Sequence, residues 1–183
     1  MARSADQLAA LLADLDEETR RLPPVHRWHP PLSGDIDIRI AVNGDWYHDG
    51  DRIERHALVQ LFSSILRREG DDYFLVTPVE KWRIRVDDLP FVAHSVECMV
   101  EADRQLLVFT TNVNSRVLAG DAHQIQVEVD PVSAEPSPAL DVRDGLKARI
   151  SRVAFYQLAE WAEERDGQWW VESDGCCFSL GLS

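Results

Sequence analysis

Residues 53–76, IERHALVQLFSSILRREGDDYFLV, can be set over residues 150–171, ISRVAFYQLAEWAEERDGQWWV, so that several positions agree without a gap. Ile53 meets Ile150, Arg55 meets Arg152, Ala57 meets Ala154, Gln60 meets Gln157 and Leu61 meets Leu158. After a short gap, Tyr73-Phe74 meets Trp169-Trp170. Amphipathic helices always share some apolar matches, but helix amphipathicity does not require the matched arginine and glutamine. Upstream, IDIRI (36–40) and IQVEV (125–129) are both alternating strands, each followed by a turn and a short segment before its helix. The spacing therefore predicts a strand-turn-strand-helix-strand unit used twice. Two such units would meet at an interface, a favoured place for a ligand.

The rest of the chain fits around that repeat. Ser4, with Gln7 three residues on, can cap a helix over 4–21 whose Leu8, Leu11, Leu12 and Leu15 share one face. The proline-rich run LPPVHRWHPP (22–31) stops it and predicts an extended arm over the body, with Trp28 as a buried anchor. DIDIRIAV, the Asn43-Gly44 turn and DWYHD form a hairpin. A helix is expected from Ile53 to about Arg68, capped by Asp51, before the strands YFLVTP and KWRIRV. Further strands are expected near 91–101, 104–112 and 123–130, then a loop at DPVSAEPSPAL. Leu146, Ile150, Val153, Ala154, Leu158, Trp161 and Ala162 mark a second helix, and QWWVE and CCFSLG close the chain as strands. The expected fold class is α+β, with two related halves, each an antiparallel sheet or partial barrel carrying one main helix. The segments are an N-terminal helix (1–21), an N-terminal α+β domain (22–88) and a C-terminal α+β domain (89–183).

Composition narrows the function classes. The 183 residues are 45% hydrophobic and 28% charged, as in an ordinary globular protein. No segment approaches the ~18 apolar residues of a membrane helix, and the first residues lack a signal-peptide core. Three cysteines, Cys98, Cys176 and Cys177, suit reduced thiols, so a cytoplasmic setting is expected. A net charge of −13 repels phosphate backbones and anionic lipid at long range, which argues against nucleic-acid and membrane binding.

Two strands carry candidate chemistry. Alternation puts Asp35, Asp37 and Arg39 on one face of theirs, where they are a solvated face, orient polar groups of a ligand or hold a hard cation. In TPVEKWRIRV, Lys81, Arg83 and Arg85 share a face near Thr77 and Glu80, and either receive an anion or pair with acids such as Asp35 and Asp37. His26 and His29 lack a further ligand at metal-binding spacing, and no metal site is assigned. Cys177 has no neighbouring base and is expected to be a buried thiol. Arg55 and Arg152 are expected at helix-end or inter-element contacts.

The segments PPVHRWHP, GDIDIRI, LVQLFSSILRRE, YFLVTPVEKWRIRVDDLPF, TNV and RDGLKARISRVAFYQLAE together resemble a bacterial family, domain of unknown function 1285. The likeness runs from about Leu22 to the C-terminus. It implies a duplicated α+β core, a C-terminal half superficially like pleckstrin-homology folds, and a ligand site between the halves. A nucleotide-type ligand and a role in signal transduction are also implied. The positions carried over are His26, Trp28, Asp35, Asp37, Arg39, Thr77, Glu80, Lys81, Thr111, Asn112 and Arg143. The paired cysteines at 176 and 177 depart from the family pattern, which has a glycine and then an aromatic residue there.

The reading favours a ligand-binding or regulatory module without catalytic residues, holding a small anionic molecule between the halves. No cofactor is assigned. A hydrolase or transferase using Asp35 or Asp37 is the first alternative, and a module that binds a protein partner is the second.

Overall fold

A computed structural model describes residues 5–182; in the first helix, side chains are described at positions 9 and 10 and from 12 onward. The predicted cap, Ser4, and the side chains of Leu8 and Leu11 lie outside the described residues. Helix α1 (Ala5–Arg20) leads into the proline-rich arm, which contains one short 3-10 turn at Val25–Arg27. Strands β1 (Leu32–Ile40), β2 (Trp46–His48) and β3 (Asp51–Arg52) precede α2 (His56–Ser64). A meander of β4 (Leu66–Glu69), β5 (Asp72–Val76) and β6 (Lys81–Val86) follows. These strands form one sheet in the order β3-β2-β1-β6-β5-β4, antiparallel except where β1 runs parallel to β6.

The second half opens with β7 (Phe91–Glu101), β8 (Arg104–Thr111) and β9 (Arg116–Leu118). Next come β10 (Ile125–Val129), β11 (Pro136–Arg143), β12 (Leu146–Ile150), α3 (Arg152–Glu160), and the meander β13 (Glu163–Arg165), β14 (Gln168–Ser173) and β15 (Cys176–Leu182). From β10 onward the order is again three strands, a nine-residue helix and three strands, matching β1 to β6 with its nine-residue α2. The second sheet has the order β10-β11-β12-β7-β8-β9, with β12 parallel to β7, while β13-β14-β15 forms a small third sheet. The repeat thus starts well inside the second half, and β7 to β9 add to it.

Four sequence expectations shift here. The helix predicted over 53–68 ends at Ser64, because Leu66–Glu69 pairs with β5 in a hairpin whose Gly70 takes φ +61°. Its N-cap is Arg55, not Asp51, which begins β3. In the second unit Leu146 and Ile150 belong to β12, and Ser151 caps α3 by accepting from the Ala154 amide at 3.2 Å. The loop expected from its prolines stops at residue 135, and Pro136–Leu140 belongs to β11. β12 pairs with β11 only from Ala139 onward, so at Pro136 and Pro138 one side of β11 is an edge, where a missing N–H breaks no ladder bond.

One continuous core runs through both halves, from Ile38, Ile40 and Trp46 through Phe91, Phe109 and Leu140 to Leu158, Val171 and Phe178. Such burial is the dominant stabilising contribution to a fold of this kind. A smaller cluster on the opposite face of the second sheet, around Leu106 and Val108, receives Leu15 of α1 beside Met99 and Leu118. Glu18 fixes that helix further, accepting from Arg116 at 3.2 Å.

Candidate functional site

Charge pairing decides the fate of the sheet face that carries Asp35, Asp37, Arg39 and Lys81. Parallel pairing of β1 and β6 sets Asp35 opposite Arg83 and Arg39 opposite Arg85. Asp37 then accepts from Arg85 at 2.9 Å, Arg39 donates to Asp87 at 2.6 Å, and Asp35 lies 3.5 Å from Arg83. Lys81 reaches Glu69 at 3.0 Å and sits over the Phe74 ring at 4.9 Å. Arg67 is the second cation on Glu69. Burial opposes ionisation of Glu69, but hydrogen bonds from Lys81 and Arg67 outweigh it and hold the pKa below the usual glutamate value. Every cation of this row has a carboxylate partner, and Asp35 and Asp37 are exposed. Exposed pairs of this kind contribute roughly 0–1 kcal/mol each.

Thr77 and Glu80 shape the turn before β6. The Thr77 hydroxyl accepts from the Glu80 amide at 3.0 Å, and Glu80 itself is exposed. In the arm, His26 and His29 are exposed and Trp28 is half-buried; Val25 and Pro30 are the buried anchors. Arg67 clamps the arm by donating to the carbonyls of Val25 at 3.0 Å and Trp28 at 2.6 Å. Nothing in the sequence marks Arg67 for this task. Arg55 and Arg152 are exposed at the starts of their helices.

Thr111, Asn112 and Arg143 come together with the joint between the halves. Thr111 is fully buried and accepts from the Ser115 amide at 3.2 Å. Asn112 accepts from the Val92 amide at 2.9 Å and donates to the Gly44 carbonyl at 3.0 Å, tying β8 to the hairpin turn of the first half. Gln60 donates to the Val113 carbonyl at 3.1 Å, whereas the Oε1 of its repeat counterpart Gln157 is buried without a hydrogen-bond partner among the described residues. Arg149 grips Asp88 with two hydrogen bonds of 2.9 and 2.8 Å. The joint is therefore packed and bonded.

Arg143 differs from the other site cations. Its guanidinium donates to the Ser63 carbonyl at 2.6 Å, where α2 ends, and lies 5.0 Å from the Phe91 ring centre. Among the described residues no carboxylate forms an ion pair with it. Burial pushes its pKa down from the ordinary arginine value, with Asp144 acting weakly the other way, and the group remains charged.

Arg143 also lines a cleft of about 590 Å³ between α1 and the second sheet, to one side of the joint. Leu15, Leu22, Val117 and Val142 give it an apolar wall, and Arg116 and His123 contribute nitrogen donors. Asp16, Glu18, Asp121 and Asp174 stand at the same cleft, and Glu18 is committed to Arg116. Arrangement of α1 over this cleft was not legible in the sequence, because amphipathicity shows that a helix has an apolar face and not what it covers.

Elsewhere, Cys177 is exposed, not buried, because alternation along β15 turns Phe178 and Leu180 inward and Cys177 outward. Cys98 is half-buried, and burial pushes its thiol pKa up, away from nucleophile chemistry. Among the described residues no three His, Cys, Asp or Glu side chains gather as a metal site. Among the described residues no helix is long and apolar enough to cross a membrane.

Fold and site together define a two-domain α+β protein with a helix-covered cleft. The chain belongs to the DUF1285 family: residues 23–89 match the domain of unknown function (DUF1285), N-terminal domain, and residues 90–180 the protein of unknown function (DUF1285), C-terminal domain. It is similar to the crystal structure of a DUF1285 family protein from Silicibacter pomeroyi DSS-3, with 46% identity and a TM-score of 0.82. That match covers 92% of this chain and 94% of the other. A DUF1285 family protein from Shewanella baltica OS155 matches at 28% identity and a TM-score of 0.53, over 67% of this chain and 90% of that one. None of the curated proteins matches the chain.

Proposed function

We propose that this protein is a ligand-binding regulatory module whose ligand is a small molecule with an apolar body and one anionic group, held in the cleft beneath α1. The observation that carries this reading is Arg143. A desolvated guanidinium without a carboxylate partner among the described residues retains donors that a carboxylate or phosphate can accept from. The apolar wall of Leu15, Val117 and Val142 supplies burial for the rest of the ligand. This cleft lies to one side of the joint between the halves, and Arg143 belongs to both. A nucleotide-type molecule is one member of this ligand class, and a signalling role would follow if binding changed how α1 sits.

A thermal-shift screen of carboxylated and phosphorylated small molecules, nucleotides included, tests the reading. At ligand concentrations about a hundredfold above Kd, stabilisation of about 2.7 kcal/mol is expected. It should be lost in Arg143→Gln and also in Ala122→Trp, which fills the cleft from an exposed position. Absence of any stabilising compound, or stabilisation unchanged in both variants, contradicts the reading.

A further inference from the structure

The two repeat units differ at one place in a way that leaves a groove. In the first unit, Ile40 pairs with Trp46, and the Trp46 ring stacks on Phe62 of α2 at 6.2 Å with 27° between planes. Trp46 is 1% exposed and Ile40 is fully buried, and beside them β1 and β6 are joined as one sheet. The repeat alignment sets Ile40 against Val129 and Phe62 against Ala159. Val129 pairs with Pro136, so strand register sets Trp46 against Pro136. The aromatic pair that plugs the first unit is therefore a proline and an alanine in the second.

The missing plug leaves open space. Val129, Pro136, Ala159, Trp169 and Leu182 line an apolar groove of about 470 Å³ between α3 and the end of the β10–β11 hairpin. Val129 is 57% exposed and Leu182 82% exposed, and β15 lies against β10 without joining its ladder. Acids surround it. Glu164 is directly opposite Trp169 across β13–β14, Glu160 follows Ala159, and Asp130 and Glu135 adjoin Val129 and Pro136. Asp130 is held ionised by the amides of Ser133 and Val132.

We infer that this groove docks a segment of a partner protein that inserts an aromatic side chain, flanked by lysine or arginine, into the place the Trp46–Phe62 pair occupies in the first unit. The apolar groove receives the ring, and the acidic rim selects the flanking charge. A second copy of the chain is a poor occupant, because at −13 it brings the same sign of charge to the rim.

The test is an NMR titration with a pentapeptide amide of one tryptophan between two lysines on each side. Saturable shifts are expected at Ala159, Trp169 and Gly181, weakening as salt is raised. Replacing the peptide tryptophan by alanine, or its lysines by glutamates, should each weaken binding about tenfold or more. In the protein, Ala159→Phe restores the plug and should abolish binding with Tm maintained. Leu182→Ala, at an exposed strand end, should weaken binding even if the first variant folds poorly. Absence of saturable shifts at millimolar peptide, equal binding of the glutamate peptide, or binding unchanged in these variants overturns the inference. So do groove shifts that depend on protein concentration alone, which would assign the face to a second copy.

Discussion

Asn112 donates its side-chain amide to the Gly44 carbonyl at 3.0 Å while its own oxygen accepts from the Val92 amide at 2.9 Å. One side chain thus holds the hairpin turn of the first half against β7 and β8 of the second. Asn112→Ala leaves a part-buried acceptor and donor without partners, and a loss of about 1–3 kcal/mol is expected by denaturant unfolding. Gly44→Ala should cost at least as much. Gly44 has φ +87°, and a Cβ there would stand 2.7 Å from the Asn112 side-chain nitrogen. The double variant should lose less than the sum, because the two changes remove one contact.

Ser173 is fully buried on β14, where its hydroxyl accepts from the Leu107 amide at 2.9 Å and donates to the Ala119 carbonyl at 2.7 Å. These bonds fasten the small third sheet to β8. Ser173→Ala strands two buried backbone groups and should cost about 1–3 kcal/mol. Ser173→Thr, which keeps the hydroxyl but adds a methyl group to a closed site, should also destabilise.

Arg67 holds the proline-rich arm by two backbone carbonyls. Arg67→Met keeps much of the apolar stem and removes the donors. Limited proteolysis should then cut within 22–31 faster than in the parent protein, while the core resists as before.

Glu69 sets one expected pH response. Its folded pKa lies below the ordinary value of 4.5, so the ionised form favours the folded state. That contribution is present above the ordinary glutamate range and is lost as pH falls through the lowered folded value. Glu69→Gln should flatten the acid limb of a stability-versus-pH curve and leave its slope near neutrality unchanged.

The repeat was legible because Gln60 and Gln157, Arg55 and Arg152, and the alternating strands before them recur at matching spacing. Strand against helix at Leu66–Glu69 and Leu146–Ile150 was not, since a short apolar run next to a helix satisfies both periodicities. The charged face of Asp35, Asp37, Lys81 and Arg83 was visible, but its neutralisation depends on strand pairing: the β1–β6 register brings Asp35 to Arg83, 48 positions on, and Lys81 is met by Glu69 of β4. Asn112 and Arg143 were named through family resemblance, while their partners Gly44 and Ser63 are backbone carbonyls that no sequence pattern marks. The groove in the second unit becomes visible once strand register turns the alignment into a side-chain comparison.

Chemical-shift mapping of the best stabilising compound from the screen, on uniformly labelled protein, tests the proposed function most directly. Perturbations centred on Leu15, Val117, His123 and the Arg143 guanidinium are the predicted result. Perturbations centred instead on Asp35, Asp37 and Lys81, with the cleft beneath α1 silent, would contradict it.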